Sequence, residues 1–215
     1  MSEPVAPILL TFDIFGTVLD WRRGLREALR SQGAAIDDAT FDRVLDRQAE
    51  LEHGPFRLYA EIVAISLVEV VGIDATAARG IGDRAGEWPL YPDSSAALAR
   101  LMRIAPCVAT TNSDLAHRAQ IEAQLGFPLS DWVCAEELRI YKPDEQVWHR
   151  TAARLEVPLD RAWWHVSAYG DYDLVTAARL GLTGVYVTRP HARPGPAQLE
   201  VATLLDLANA LPEPL

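Results

Sequence analysis

Pro7-Ile-Leu-Leu-Thr-Phe-Asp13-Ile-Phe15-Gly16-Thr17-Val-Leu-Asp20-Trp21 decides how the rest of this chain is read. Ile8 to Phe12 is a short apolar run with strand character, and it stops at an aspartate followed three residues later by Gly-Thr. A strand buried in a parallel sheet delivers the residues after it to the sheet's carboxyl edge, where open α/β folds keep their sites. Asp13 at such a tip, with Gly16 allowing a tight turn, is placed to attack a carbon or phosphorus centre. The competing reading of Asp13 is a turn cap, and only the segments downstream choose between them.

Outward from that stretch, the chain alternates in two blocks. Trp21 to Tyr91 contains no convincing strand; its apolar residues recur at helical spacing through Leu25–Leu29, Phe41–Leu45 and Ile62–Val68. Gly54-Pro55 separates one helix from the next, and Trp88-Pro89-Leu-Tyr91-Pro92 closes the block. From Asp93 the pattern becomes helix–strand–helix–strand, with strands expected at Cys107–Thr110, Trp132–Cys134, Trp163–Val166 and Gly184–Val187. Helices are expected to about Met102, over Leu115–Leu125, near Glu145–Leu155 and up to Leu180. The fold class is therefore α/β: a doubly wound parallel sheet, interrupted after its first strand by a helical insertion. Residues 1–20 and 92–215 then form the core domain, and 21–91 a helical cap over the sheet's active edge. The proline-rich pieces His191–Pro196 and Leu211–Leu215 read as an exposed loop and a tail.

Bulk properties narrow the partners. A length of 215 residues at 49% hydrophobic content suffices for one α/β domain with an insertion. A net charge of −10 argues against nucleic acid and acidic membranes. No apolar run approaches the roughly 20 residues of a membrane span. Met1-Ser-Glu-Pro4 has neither the basic nor the apolar region of a signal peptide. Cys107 and Cys134 both adjoin strand-like runs and read as buried thiols of a reducing cytoplasm. No Cys-x-x-Cys, His-rich tract or internal repeat is present.

Three later segments fall at strand ends on the same edge. Thr110-Thr111-Asn112-Ser113-Asp114 offers hydroxyl and amide groups for an anion or carbonyl oxygen, or else a helix N-cap. In Tyr141-Lys142-Pro143-Asp144, a lysine in extended backbone ahead of proline reaches back toward Asp13, unless it is an ordinary solvated loop lysine. In Val166-Ser167-Ala168-Tyr169-Gly170-Asp171-Tyr172-Asp173, Asp173 is either a site carboxylate or a helix cap.

Asp13, Thr111-Asn112, Lys142-Pro143 and the terminal acidic loop, in this order and with a helical block between the first two, resemble the haloacid dehalogenase superfamily over nearly the whole chain. Phosphatases of that superfamily carry a second aspartate two residues after the nucleophile, where this chain has Phe15. They also carry a magnesium-binding Gly-Asp, where this chain has Ser167-Ala168. What remains, Asp-x-aromatic-Gly-Thr, is similar to the (S)-2-haloacid dehalogenase branch, which needs no metal. The resemblance implies a small anionic acid as substrate, an aspartyl-ester intermediate on Asp13 and no cofactor, and it allows a homodimer.

It further implies that Lys142 keeps Asp13 ionised by holding its pKa down, and that Thr17, Thr111 and Asn112 position Asp13 and the substrate carboxylate. Asp173, with Ser167 and Tyr169, would hold Lys142 and orient the hydrolytic water. Phe15, with Phe56 and Tyr59, would wall the carbon centre. Arg47, in Arg47-Gln48-Ala-Glu-Leu51-Glu52, would receive the departing halide as a planar cation above the nucleophile; the competing reading pairs it with Glu50 or Asp46. The last motif is one residue longer than in familiar dehalogenases and lacks their asparagine, while Asp171 is an extra acid that would restore metal binding. The alternatives are therefore a magnesium-dependent phosphatase, a hydrolase of another C–X bond such as that of a strained ring amine, and a retired enzyme that only binds.

Overall fold

The computed structural model describes residues 5–212. The readings of Met1–Pro4 and of the last three residues of the proline-rich tail lie outside them. Leu211, the first residue of that tail, is buried rather than exposed.

Six parallel strands form one sheet in the order β3-β2-β1-β4-β5-β6. They are β1 (Leu9–Phe12), β2 (Cys107–Thr111), β3 (Asp131–Cys134), β4 (Trp163–Ser167), β5 (Thr183–Val187) and β6 (Leu199–Val201). β1 pairs with β2 through Leu10–Cys107 and with β4 through Leu10–Trp164. It is thus central, and the strand order reverses beside it, which is where doubly wound sheets open a crevice at their carboxyl ends. Side-chain alternation explains the two cores. Leu10, Phe12, Ala109, Trp164 and Val166 pack on one face, and Leu9, Val108, Val133 and Trp163 on the other.

Helices α1 (Trp21–Ser31), α2 (Asp38–Glu52), α3 (Tyr59–Val71) and α4 (Ala75–Asp83) lie between β1 and β2. The chain enters and leaves this helical block at one point, where Leu19 bridges Leu90, Asp20 N–H donates to the Pro89 carbonyl and Tyr91 N–H to that of Val18. Asp20 caps α1 by accepting from Arg23 N–H. A second tie runs from below: the carboxylate of Asp114, beside β2, accepts from the N–H groups of Tyr59 and Ala60 at 2.7 and 2.8 Å, capping α3. Helices α5 (Ser94–Leu101), α6 (Leu115–Leu125), α7 (Ala135–Leu138), α8 (Gln146–Leu155), α9 (Val175–Arg179) and α10 (Leu204–Ala210) flank the sheet.

Two elements differ from the sequence reading. β6 comes after the proline-rich loop and is three residues long, too short to carry a period. The helix expected to begin near Asp173 is preceded by a single π-helical turn, Gly170–Leu174, inside which Asp173 is buried rather than capping. No described helix is long and apolar enough to cross a membrane.

Gly16 turns the loop after β1 with φ of +97°. A Cβ there would lie 2.5 Å from the Tyr169 ring and 2.9 Å from Trp21 Nε1. Gly16→Ala therefore combines left-handed strain with a clash, and we expect a loss of about 2 kcal/mol in denaturant unfolding.

Candidate active site

Asp13 leaves β1 with its N–H bonded to the Val166 carbonyl, so its backbone is still held by the sheet. The next turn folds back on itself: Ile14 O accepts from the N–H groups of Val18 and Leu19 at 2.9 and 3.0 Å. This puts Thr17 under Asp13, and its hydroxyl donates to Asp13 Oδ2 at 2.7 Å while accepting from Ala168 N–H at 2.9 Å. Arg189, at the end of β5, braces the turn from behind. It donates to the Thr17 carbonyl at 3.0 Å and forms a buried two-point ion pair with Asp93.

Lys142 is fully buried, and its ammonium donates to Asp13 Oδ1 at 3.0 Å and to Asp173 Oδ2 at 2.7 Å. Asn112, just past the end of β2, fixes the lysine by its backbone. Its carbonyl oxygen accepts from Lys142 N–H at 2.7 Å and its amide donates to Lys142 O at 3.1 Å. Ser167 Oγ donates to Asp173 Oδ2 at 3.0 Å and accepts from Tyr169 N–H at 3.0 Å. The Tyr169 hydroxyl accepts from Trp21 Nε1 at 2.7 Å, joining this loop to α1.

Burial pushes the Asp13 carboxyl up from its ordinary 3.8, and the charge of Asp173 adds to this against the pull of Lys142 and Thr17. Asp173 is pulled down in spite of its burial, because it sits closer to the shared ammonium and faces His165 as well. Lys142 is held up by the two carboxylates, which outweigh its desolvation. Lys142 does pull Asp13 down, as expected from the sequence, but desolvation outweighs that pull and the carboxyl stays raised.

Above these groups opens a cavity of about 690 Å³, lined by Asp13, Thr111, Asn112 and Lys142 from the sheet side. Phe15, Tyr59, Phe56, Tyr169 and Tyr172 supply much of its wall. Phe15 stacks edge-on or tilted against Tyr59, Trp88 and His117 at 5.2 to 6.0 Å. From the inserted helices, Gln48 and Glu52 of α2 close the roof.

A family model described as haloacid dehalogenase-like hydrolase matches residues 9–164. The chain belongs to the haloacid dehalogenase-like hydrolases. The (S)-2-haloacid dehalogenase 4A of Burkholderia cepacia is 26% identical over 219 residues, spanning 94% of this chain and 90% of its own. Among solved structures, the L-2-haloacid dehalogenase PA0810 superposes with a TM-score of 0.82 at 23% identity, over 95% of this chain and 99% of its own. An L-2-haloacid dehalogenase from Xanthobacter autotrophicus, with chloropropionic acid covalently bound, gives 0.81 at 16% identity over 94% and 97%. At these identities the structural likenesses establish the fold.

Within this haloacid dehalogenase-like hydrolase, Thr17 and Asp173 sit beneath the cavity in contact with Asp13 and Lys142, and Ser167 in contact with Asp173, whereas Arg47 and Asp171 touch neither the cavity nor these groups. Arg47 turns outward, donating to Glu69 at 2.6 Å and Glu50 at 2.9 Å, so it is no cation above Asp13. The reason is helical phase. Phe41, Val44 and Gln48 form the buried stripe of α2, and a neighbouring residue points about 100° away from it. Asp171 is likewise exposed, 3.6 Å from Arg193, and does not join Asp13 and Asp173 in a metal cluster. No group of three or more His, Cys, Asp or Glu side chains able to hold a metal occurs among the described residues.

Sequence reasoning passes over two residues. His165 lies behind Asp173 with Nε2 at 3.4 Å, and its Nδ1 is 2.8 Å from Thr11 Oγ1, which also accepts from Trp163 Nε1. A histidine inside a strand as apolar as Trp163-Trp-His-Val166 was the available signal. Glu52 is the other; it continues the spacing Val44, Gln48, Glu52, which puts a carboxyl on a buried stripe. Burial raises its carboxyl to about 7, against the opposing pull of Lys142 and Asn112.

Proposed function

We propose that the chain is a metal-independent hydrolase of small (S)-2-haloacids, in which Asp13 is the nucleophile. One oxygen of Asp13 attacks C2 of the acid from the side opposite the halogen, the C–X bond breaks with inversion, and halide departs with the bonding pair. Water then adds to the Asp13 carbonyl carbon, and collapse releases the (R)-2-hydroxy acid and restores the carboxylate. The observation that carries this reading is the buried chain Asp13–Lys142–Asp173, in hydrogen-bond contact throughout and open on one side to an aromatic-walled cavity. A carbon centre, unlike a phosphoryl group, gains from such a wall. The covalent chloropropionate in the Xanthobacter autotrophicus dehalogenase is consistent with it.

The donor set argues against the magnesium-dependent alternative. Asp13 and Asp173 each give one carboxylate oxygen to the Lys142 ammonium. Position 168 is an alanine, and Asp171 faces Arg193. The test is chloride release from (S)-2-chloropropionate with chelator and with added magnesium, beside p-nitrophenyl phosphate turnover. Release indifferent to both additions supports the reading; magnesium-dependent phosphate turnover without chloride release overturns it.

Two further outcomes are expected. Arg47→Ala should leave kcat/KM within about threefold, since its guanidinium is engaged by surface carboxylates; a loss above a hundredfold in chloride release would return it to the reaction. The rate should also fall on the acid side as Asp13 takes up a proton. Because burial raises that carboxyl, the limb in log kcat/KM against pH should lie above 3.8, not at or below it.

A further inference from the structure

Glu52 is the last residue of α2, where a negative charge opposes the helix dipole, and it lines the cavity. Its single hydrogen bond among the described residues comes from Asn112 Nδ2 at 3.4 Å, and it has no ion-pair partner there. A glutamine would make the same bond at less desolvation cost, so packing and capping do not account for an acid. The nearby cation, Lys142, is committed to Asp13 and Asp173. Arg47 points away from the cavity. Near Glu52 stand the rings of Tyr59 and Tyr172, surfaces that favour cations over anions. At the mouth, Arg139 is exposed, stacks 4.0 Å over Phe56 and has no carboxylate partner among the described residues. The cavity therefore offers a guanidinium at one place and an unpaired carboxyl at another.

We infer that the preferred substrates are 2-substituted acids that also carry an ammonium group, which Glu52 receives while Arg139 faces the carboxylate. The inference rests on the reading of Asp13 as a nucleophile toward small 2-haloacids, and it narrows that class to zwitterionic members. The ammonium takes no part in the bonds made and broken. It is retained in the product, so the product reports on the same contact.

A matched product pair makes the test independent of turnover. (R)-Isoserine and (R)-2-hydroxybutyrate differ only by an ammonium in place of a methyl group, and their binding is measured by titration calorimetry on the wild type and on Glu52→Gln. We expect the wild type to favour (R)-isoserine by about tenfold or more, the scale of a hydrogen-bonded ion pair. In Glu52→Gln the ratio should fall to near one, with Glu52→Ala as the second variant if the first does not fold. Equal or reversed affinities in the wild type, a preference that survives loss of the carboxyl, or no binding of either acid would each overturn the inference. Chloride release from (S)-2-chlorobutyrate, run in parallel, separates the two readings. Turnover without an ammonium preference sinks this inference and keeps the dehalogenase reading. A Glu52-dependent preference without chloride release keeps the role of Glu52 and removes the halide.

Discussion

Asp13→Asn is expected to reduce chloride release from (S)-2-chloropropionate by on the order of 10⁴-fold or more while the protein stays folded. The size reflects the role: an amide oxygen is a poor nucleophile toward carbon, and no described carboxylate shares its place at the tip of β1. Retention of the fold is expected from the ion-pair geometry. Lys142 keeps Asp173 at 2.7 Å, so the substitution does not strand a buried ammonium, and the asparagine side chain still accepts from Thr17 or Lys142. Circular dichroism should be unchanged as the rate falls. A single turnover in ¹⁸O water sharpens the test: wild-type protein should carry the label into Asp13, read by peptide mass, and the product of that first turnover should lack it. Label appearing directly in the 2-hydroxy acid would mean that water attacks C2, and Asp13 would then be a base.

Lys142→Met is expected to damage both activity and stability. With the ammonium in place the three buried groups sum to one negative charge; without it two carboxylates face each other with no cation. Breaking such a buried pair by removing one partner costs about 3–5 kcal/mol, because the remaining charge is uncompensated. The two acids would then share a proton near neutrality, as close carboxylates do. Asp13 would be largely protonated where the wild type is ionised, and we expect a rate loss of about 10³-fold, partly recovered as the pH is raised. Urea unfolding followed at pH 6 and pH 8 checks the stability term. A variant that unfolds like the wild type would show the ammonium to be dispensable to the charge balance.

Much of this was legible in the sequence because the fold and the site share one logic. Strands Leu9–Phe12, Cys107–Thr111 and Trp163–Ser167 announce themselves as short apolar runs, and the polar residues that end them necessarily arrive at one edge. That is why Asp13, Thr111, Asn112, Lys142 and Asp173 converge although up to 160 residues separate them. Arg47 was misplaced because likeness in one helix fixes a neighbourhood and not a phase. The residues on either side of it, Asp46 and Gln48, line the cavity instead. Glu52 and His165 escaped for a different reason: each gains significance only from what lies across the cavity or behind the sheet, and a linear string holds no record of that. β6 was lost because a three-residue edge strand is defined by its partner rather than by its own composition.

The Asp114 clasp on α3 bears on how molecules come and go. With the roof pinned there, and also by Tyr141 on the Arg57 carbonyl and His117 on that of Gly82, swinging it open would break several contacts at once. A gap already exists on the flank, rimmed by the exposed His53, Asp144 and Arg193. Molecules passing between these three side chains would leave the ceiling at rest.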